Sequence, residues 1–233
     1  MGNQRLTLRV VFKEFLSNVF EWEYPVLKTM KDMTIRPGLL CRDYVKGIRK
    51  PYSRPFQYYL ITLAVFYLVM LGAGLQISDY SQDFTPEFAE GEIGEHQRIL
   101  LTDINDTMNE YSKIFMFLMI PLYALCTWML FRKSGFNYAE NFIMNLYVVA
   151  HLSLISVVCI PISFYEFSYY FFTSGVLGMI YFVISLKQFF QVSMGVALLK
   201  GLLTYILAMI IFAVISISSA IVFIRFFVDY DWI

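Results

Sequence analysis

The sequence is poor in the residues that usually carry chemistry. Two histidines and three cysteines are spread over 233 residues, and charged side chains make up 15% of the chain. A soluble globular domain carries about a quarter. Two histidines leave few options for acid–base work. No CxxC pair exists, which excludes a zinc ribbon. Cys126 and Cys159 lie in apolar runs and Cys41 in a basic stretch, so a disulfide framework is not expected. There is no GxSxG, no glycine-rich phosphate loop and no HExxH. The sequence thus calls for no cofactor, no resident metal and no enzyme. A membrane enzyme acting on lipids stays as a third reading. No internal repeat is visible, which counts against repeat-built transporter folds.

What is present is apolar residue, at 58% of the chain. It falls in blocks, and a helix crossing the hydrocarbon core needs about 20 such residues. Five stretches qualify: residues 56–77, 113–131, 141–162, 168–186 and 201–224. Only helices satisfy their backbone groups alone in lipid. The fold class expected is all-α, a polytopic helical membrane protein with five spans. Residues 1–55 form a cytoplasmic hook and 56–233 the transmembrane domain.

The loops set the direction. Residues 1–55 hold eleven Lys and Arg against five acids, whereas residues 78–110 hold nine acids and Arg98 alone. Basic loops stay inside. The N-terminus is expected inside, the acidic loop 78–112 outside, and Arg132 with Lys133 on an inner loop. Lys187 and Lys200 bracket a second inner segment. An even number of spans, with one segment re-entrant, is the competing topology. Tyr58, Tyr59, Trp128, Tyr138, Tyr165, Tyr169, Tyr170 and Trp232 fall near the boundaries, as an anchoring aromatic belt would. The first 30 residues carry charges throughout, so a cleavable signal peptide is not expected. MGNQRL lacks the Ser or Thr at position 6 that favours myristoylation.

The hook combines two patterns. Arg5, Arg9 and Lys13 repeat at four-residue spacing opposite Leu8, Val11, Phe12, Phe15 and Val19, which reads as an amphipathic helix. It suits either the membrane interface or the protein's own inner face. Pro25 and Pro37 each suit a helix start. From Pro37 to Ile48, helical spacing puts Arg42, Lys46 and Arg49 on one stripe. Gly47 can end that helix, and Pro51 and Pro55 suit an extended connector. With Arg36, Lys50 and Arg54, six basic groups stand against the first span. They serve orientation, an anionic lipid headgroup or phosphate, or a protein partner. Nucleic acid is not expected as a partner, because the stripe is short and abuts the bilayer.

The run TMKDMTIRPGLLCRDYVKGIRKPYSRPFQYYL resembles the hook of an uncharacterised family of bacterial polytopic membrane proteins. That family's pattern is threonine, RPG, tyrosine, GKR, then tyrosine and proline before the first span. Arg36, Pro37, Gly38, Tyr44, Gly47, Arg49, Tyr52 and Pro55 fit it, and Ile48 stands where the family has lysine. PLYALCTWMLFRKSGFNYAEN resembles the family's second span and its Tyr-x-Glu-His motif through Pro121, Ala124, Phe131, Tyr138 and Glu140. Asn141 replaces the histidine. The similarity covers residues 25 to 155. The zinc ribbon that often precedes the hook is missing. The resemblance implies a bacterial inner-membrane protein and no assigned activity.

Ionisable groups inside spans are costly in lipid and are functional candidates for that reason. His151 is mid-span, near Ser153 and Ser156, and suits either a proton relay or a structural hydrogen bond. Asn137, Asn141 and Asn145 share a stripe with Glu140 beside it. That is either a polar entrance or an inter-helix hydrogen-bond cluster. In the outer loop, Glu92, Glu95 and His96, or Asp103, Asp106 and Glu110, lack the spacing of a known metal motif. Gly175 with Gly178, and Ser216 with Ala220, suit close helix approach within one chain or between copies. Two functions are carried forward. One is a non-enzymatic membrane component that binds anionic lipid or a protein partner through Arg36, Arg42, Lys46, Arg49, Lys50 and Arg54, within a larger assembly. The other is a small oligomeric permease or channel lined by Glu140, Asn141, Asn145 and His151.

Overall fold

The computed structural model describes residues 24–75 and 117–227. The amphipathic stretch 5–20, the acidic loop with its metal candidates, and Trp232 lie outside the described residues, as do the side chains of Ser216 and Ala220. Seven α-helices make up the described part. They are α1 (24–35), α2 (Pro37–Val45), α3 (Pro55–Gly72), α4 (Phe117–Leu130), α5 (Tyr138–Ser163), α6 (Phe167–Phe190) and α7 (Met194–Phe227). No strand occurs among the described residues. Four helices, α3, α5, α6 and α7, are long and apolar enough to cross a membrane. The expected second span is α4, a shorter apolar helix in the described residues; positions 113–116 lie outside them.

Helix ends follow local chemistry. Pro37 and Pro55 each stand at the first position of their helix, where the missing N–H has no partner to lose. Pro55 therefore starts α3, where an extended connector was expected, and Arg54 just before it is extended. Gly47 (φ 103°) follows α2, which ends at Val45, so the helix stops at this glycine as expected. Gly135 (φ 82°) closes the short 3-10 turn Arg132–Ser134 after α4. Asn137 and Glu140 form a reciprocal capping box at the start of α5. The link between α6 and α7 is the three residues 191–193, so α7 begins at Met194, seven residues before the expected 201. Lys200 is consequently inside a helix. Its ammonium donates to the Leu130 carbonyl at 2.7 Å and sits 4.5 Å above the Phe131 ring.

The hook packs into the bundle. Met33, Leu40, Cys41 and Tyr44 share one core with Tyr58, Tyr147, Leu186 and Phe189. A second cluster, Phe66, Met70, Cys159, Ile160 and Tyr170, lies further along α3, α5 and α6. Tyr58 stands in the first turn of α3 yet meets His151, which is ~20 Å along α5 at 1.5 Å per residue. The first half of α5 thus runs past the start of α3, and the hook covers that extension. Burial also removes Tyr58, Tyr59 and Tyr170 from the aromatic belt, whereas Tyr165, Tyr169 and Tyr138 stay exposed.

Candidate functional site: a basic pocket beside a buried latch

Three side chains hold the α1–α2 corner. Arg36 donates to the Asp32 carboxylate at 3.0 Å and to the Tyr52 hydroxyl at 3.0 Å, and Tyr52 donates to the same carboxylate at 3.1 Å. Asp43 stands 3.9 Å from the other guanidinium nitrogen. Burial pushes the Asp32 carboxyl up, but the Arg36 hydrogen bond and charge, with Tyr52 and Lys28, outweigh it and hold the carboxyl below its usual value. The Asp32 hydrogen bond raises Arg36 in turn. Burial raises the Tyr52 phenol, against the pull of Arg36. Arg36 is therefore matched by two acids and is not a free anion contact.

The other basic residues separate. Arg49, Lys50 and Arg54 line a cavity of about 590 Å3 at the foot of α3, with Tyr44, Tyr52 and Phe56. Among the described residues, none of these three cations has a carboxylate in ion-pair reach. Arg49 lies 5.6 Å from the centre of the Tyr44 ring and donates weakly to the Tyr44 carbonyl at 3.4 Å. Arg42 and Lys46 do not line this cavity. Arg42 keeps a buried Nε without a partner among the described residues, and Lys46 is exposed just past the end of α2. The helical stripe of Arg42, Lys46 and Arg49 is interrupted because α2 stops at Val45 and Gly47 turns the chain. The sequence signal that groups Arg49, Lys50 and Arg54 is the pair of prolines, Pro51 and Pro55, that fold the connector over the foot of α3.

Beside this pocket lies a buried latch. The Tyr58 hydroxyl and His151 Nδ1 are 2.7 Å apart, and Thr34 Oγ1 is 3.2 Å from His151 Nε2. Tyr181 stacks on the imidazole at 5.2 Å and donates to the Met33 carbonyl at 2.9 Å. Tyr147 donates to the Ser53 carbonyl. The Ser53 amide donates to Thr29 Oγ1 at 2.9 Å. His151 thus joins α1, α3 and α5, and its two ring nitrogens both face partners. Periodicity alone missed Thr34 and Tyr58, because their partner is more than 90 residues away.

The polar stripe of α5 is divided. Glu140 is occupied by the capping box, accepting from the Asn137 amide at 2.7 Å. The Asn145 amide donates to Thr127 Oγ1 on α4 at 3.0 Å, an inter-helix hydrogen bond, and to the Asn141 carbonyl within α5 at 2.9 Å. Asn141 and Asn145 are buried, and the Oδ1 of each has no partner among the described residues. Tyr138 donates to the Pro121 carbonyl at 3.3 Å. Among the described residues no three His, Cys, Asp or Glu gather as a metal site.

Four apolar helices of spanning length in an all-helical fold define a polytopic helical membrane protein. Residues 25–67 match a family described as protein of unknown function, DUF3667. That stretch holds the hook from residue 25 onward and most of α3, the first part of the resemblance read in the sequence. No curated protein and no solved structure matches the chain.

Proposed function

We propose that this is a non-enzymatic component of the bacterial cytoplasmic membrane, with its N-terminus inside, that holds an anionic lipid headgroup at the foot of α3. The observation that carries this reading is the convergence of Arg49, Lys50 and Arg54 on one cavity without a facing carboxylate among the described residues. Near an anionic leaflet each such cation contributes about 1 kcal/mol. Tyr44 and Phe56 give the cavity apolar walls against which lipid carbon can rest. Arg36, Arg42 and Lys46 serve the hook's fold and the inner orientation rather than the headgroup. Assembly with a protein partner, or with further copies of the chain, belongs to the same reading, as does the Tyr-x-Glu element around Tyr138.

Native mass spectrometry of gently purified protein tests this. Wild type is compared with a variant carrying Arg49→Ala, Lys50→Ala and Arg54→Ala. Retention of an anionic phospholipid by wild type and its loss from the variant is the expected result. Equal retention by both defeats the reading and leaves the charge as a topology signal. A second reading, a small permease, draws on the unpartnered Oδ1 atoms of Asn141 and Asn145. It requires that Asn145→Leu change flux of some solute in vesicles.

A further inference from the structure

Away from the basic pocket, at the level of the spans, α3 to α7 enclose a cavity of about 830 Å3. A second cavity of about 570 Å3 shares Tyr123, Leu152, Ser156, Phe171 and Tyr205 with it. The two form one cleft with no charged side chain in its lining. Tyr123, Phe182 and Tyr205 frame it as an edge-on trio, with centroids 5.3 Å apart for Tyr123–Tyr205 and 5.1 Å for Phe182–Tyr205.

Its few polar groups are distinctive. Ser153 and Ser174 each bond back to a carbonyl of the preceding turn. Tyr123, Ser156 and Tyr205 line the cleft as well. Among the described residues none of their hydroxyls is a sealed-off orphan, so each can donate into the open space of the cleft. On so apolar a lining a polar acceptor brought by an occupant would be held by these donors. Gly175 opens the cleft further, since a Cβ there would meet nothing within 4 Å. Gly178, one turn on, is the packing glycine, with Leu152 3.5 Å from its would-be Cβ.

We propose that this cleft binds one neutral-headed hydrocarbon chain whose carbonyl oxygen accepts from the Tyr123 and Tyr205 hydroxyls, with Ser156 on the same lining. Bilayer depth and the lack of charge favour an occupant that arrives through the membrane, and the cleft's volume is that of a small-molecule site. The carbonyl could belong to a glycerolipid ester or to an isoprenoid quinone. The headgroup pocket at Arg49 is a separate site, and neither proposal depends on the other.

Photo-crosslinking of the full chain in nanodiscs of phosphatidylethanolamine and phosphatidylglycerol tests it. One arm carries a trace of phosphatidylethanolamine with a diazirine in its acyl chain, the other a diazirine-bearing isoprenoid benzoquinone. The expected result is labelling at Tyr123, Phe171 or Tyr205 by one probe, reduced at least tenfold in Gly175→Phe. Labelling at Leu199, exposed on α7, should be unchanged. The probe that labels identifies the source of the carbonyl. Labelling confined to the Leu199 face, or equal labelling of the cleft in both proteins, overturns the proposal. Should Gly175→Phe fail to fold, Tyr123→Phe with Tyr205→Phe keeps the shape of the cleft and removes two donors. Severalfold weaker labelling is then expected, and unchanged labelling overturns the proposal.

Discussion

The Gly38 amide donates to Gln188 Oε1 at 3.0 Å across 150 residues of sequence. This bond places the second residue of α2 directly on the backbone of α6. A Cβ at Gly38 would run into the Ser185 carbonyl oxygen and the Phe189 nitrogen, both main-chain atoms that cannot swing aside. The glycine of the RPG triplet is therefore a contact residue. Pro37 before it starts α2, and Arg36 before that ties the corner to Asp32 and Tyr52.

Gly38→Ala should cost about 1–3 kcal/mol through overpacking, with the hook displaced from α6. Gly47→Ala is the control. It has a left-handed φ of 103° but open space around the missing Cβ. Its cost should be local, about 1–2 kcal/mol from backbone strain alone. Thermal unfolding in detergent compares the two, and protease sensitivity of residues 24–54 reads the displacement. Equal protease sensitivity of Gly38→Ala and Gly47→Ala would refute the close-contact role.

His151 and Tyr58 form the second joint. Tyr58→Phe removes one hydroxyl and leaves His151 Nδ1 buried without its 2.7 Å partner. A cost of about 1–3 kcal/mol follows. Combining Tyr58→Phe with His151→Phe should cost clearly less than the sum of the single changes, since neither leaves the other's polar atom stranded. A double-mutant cycle on thermal unfolding measures that coupling. Additive effects would show that the pair does not act as a unit.

Asp32 sets a pH dependence whose sign is fixed. Its carboxyl is held below the ordinary value of 3.8, so its contribution to hook docking is complete above that value. It fades as pH falls below 3.8 through the lowered value. Asp32→Asn should therefore be less stable than wild type at pH 7, and the difference should narrow as pH falls below 3.8. Melting curves at pH 7, 5 and 3 read this directly. A constant difference across the three would mean that the carboxylate's charge is irrelevant there.

Four of the five expected spans and the basic character of the hook were legible in the sequence because both are compositional, whereas the expected second span is the shorter helix α4 among the described residues. Apolar runs mark α3, α5, α6 and α7 whatever their neighbours. The ends were less legible. Lys200 looked like a loop residue because charge is rare in spans, yet the Leu130 carbonyl and the Phe131 ring supply it with partners inside the fold. Tyr58 and Tyr170 looked like interface anchors, but ring size and a single hydroxyl suit a core site equally well. The basic residues divided on a feature no helical wheel carries. Arg36 meets Asp32 by local spacing, whereas Arg49, Lys50 and Arg54 meet each other only because the chain turns at Gly47 and Pro51. The docking of the hook depends on partners 90 to 150 residues away, a distance at which a single sequence carries no periodic signal.

Cys41 offers a direct reading of that docking. Its thiol is fully buried in the core shared by α2, α5 and α6, and burial holds it well above the usual thiol range. A thiol so placed is neither ionised nor reachable at neutral pH. N-ethylmaleimide should therefore label Cys41 in wild type only as fast as the hook opens. Gly38→Ala, and Asp32→Asn at pH 7, should both speed labelling at Cys41, by about tenfold for each 1.4 kcal/mol lost from docking. Cys126 and Cys159 are buried in α4 and α5 and serve as internal references. Peptide mapping after timed labelling separates the three sites. Faster labelling at Cys41 alone means that the hook leaves the bundle as a unit while the spans stay packed. Equal acceleration at all three means that the hook and the spans unfold together.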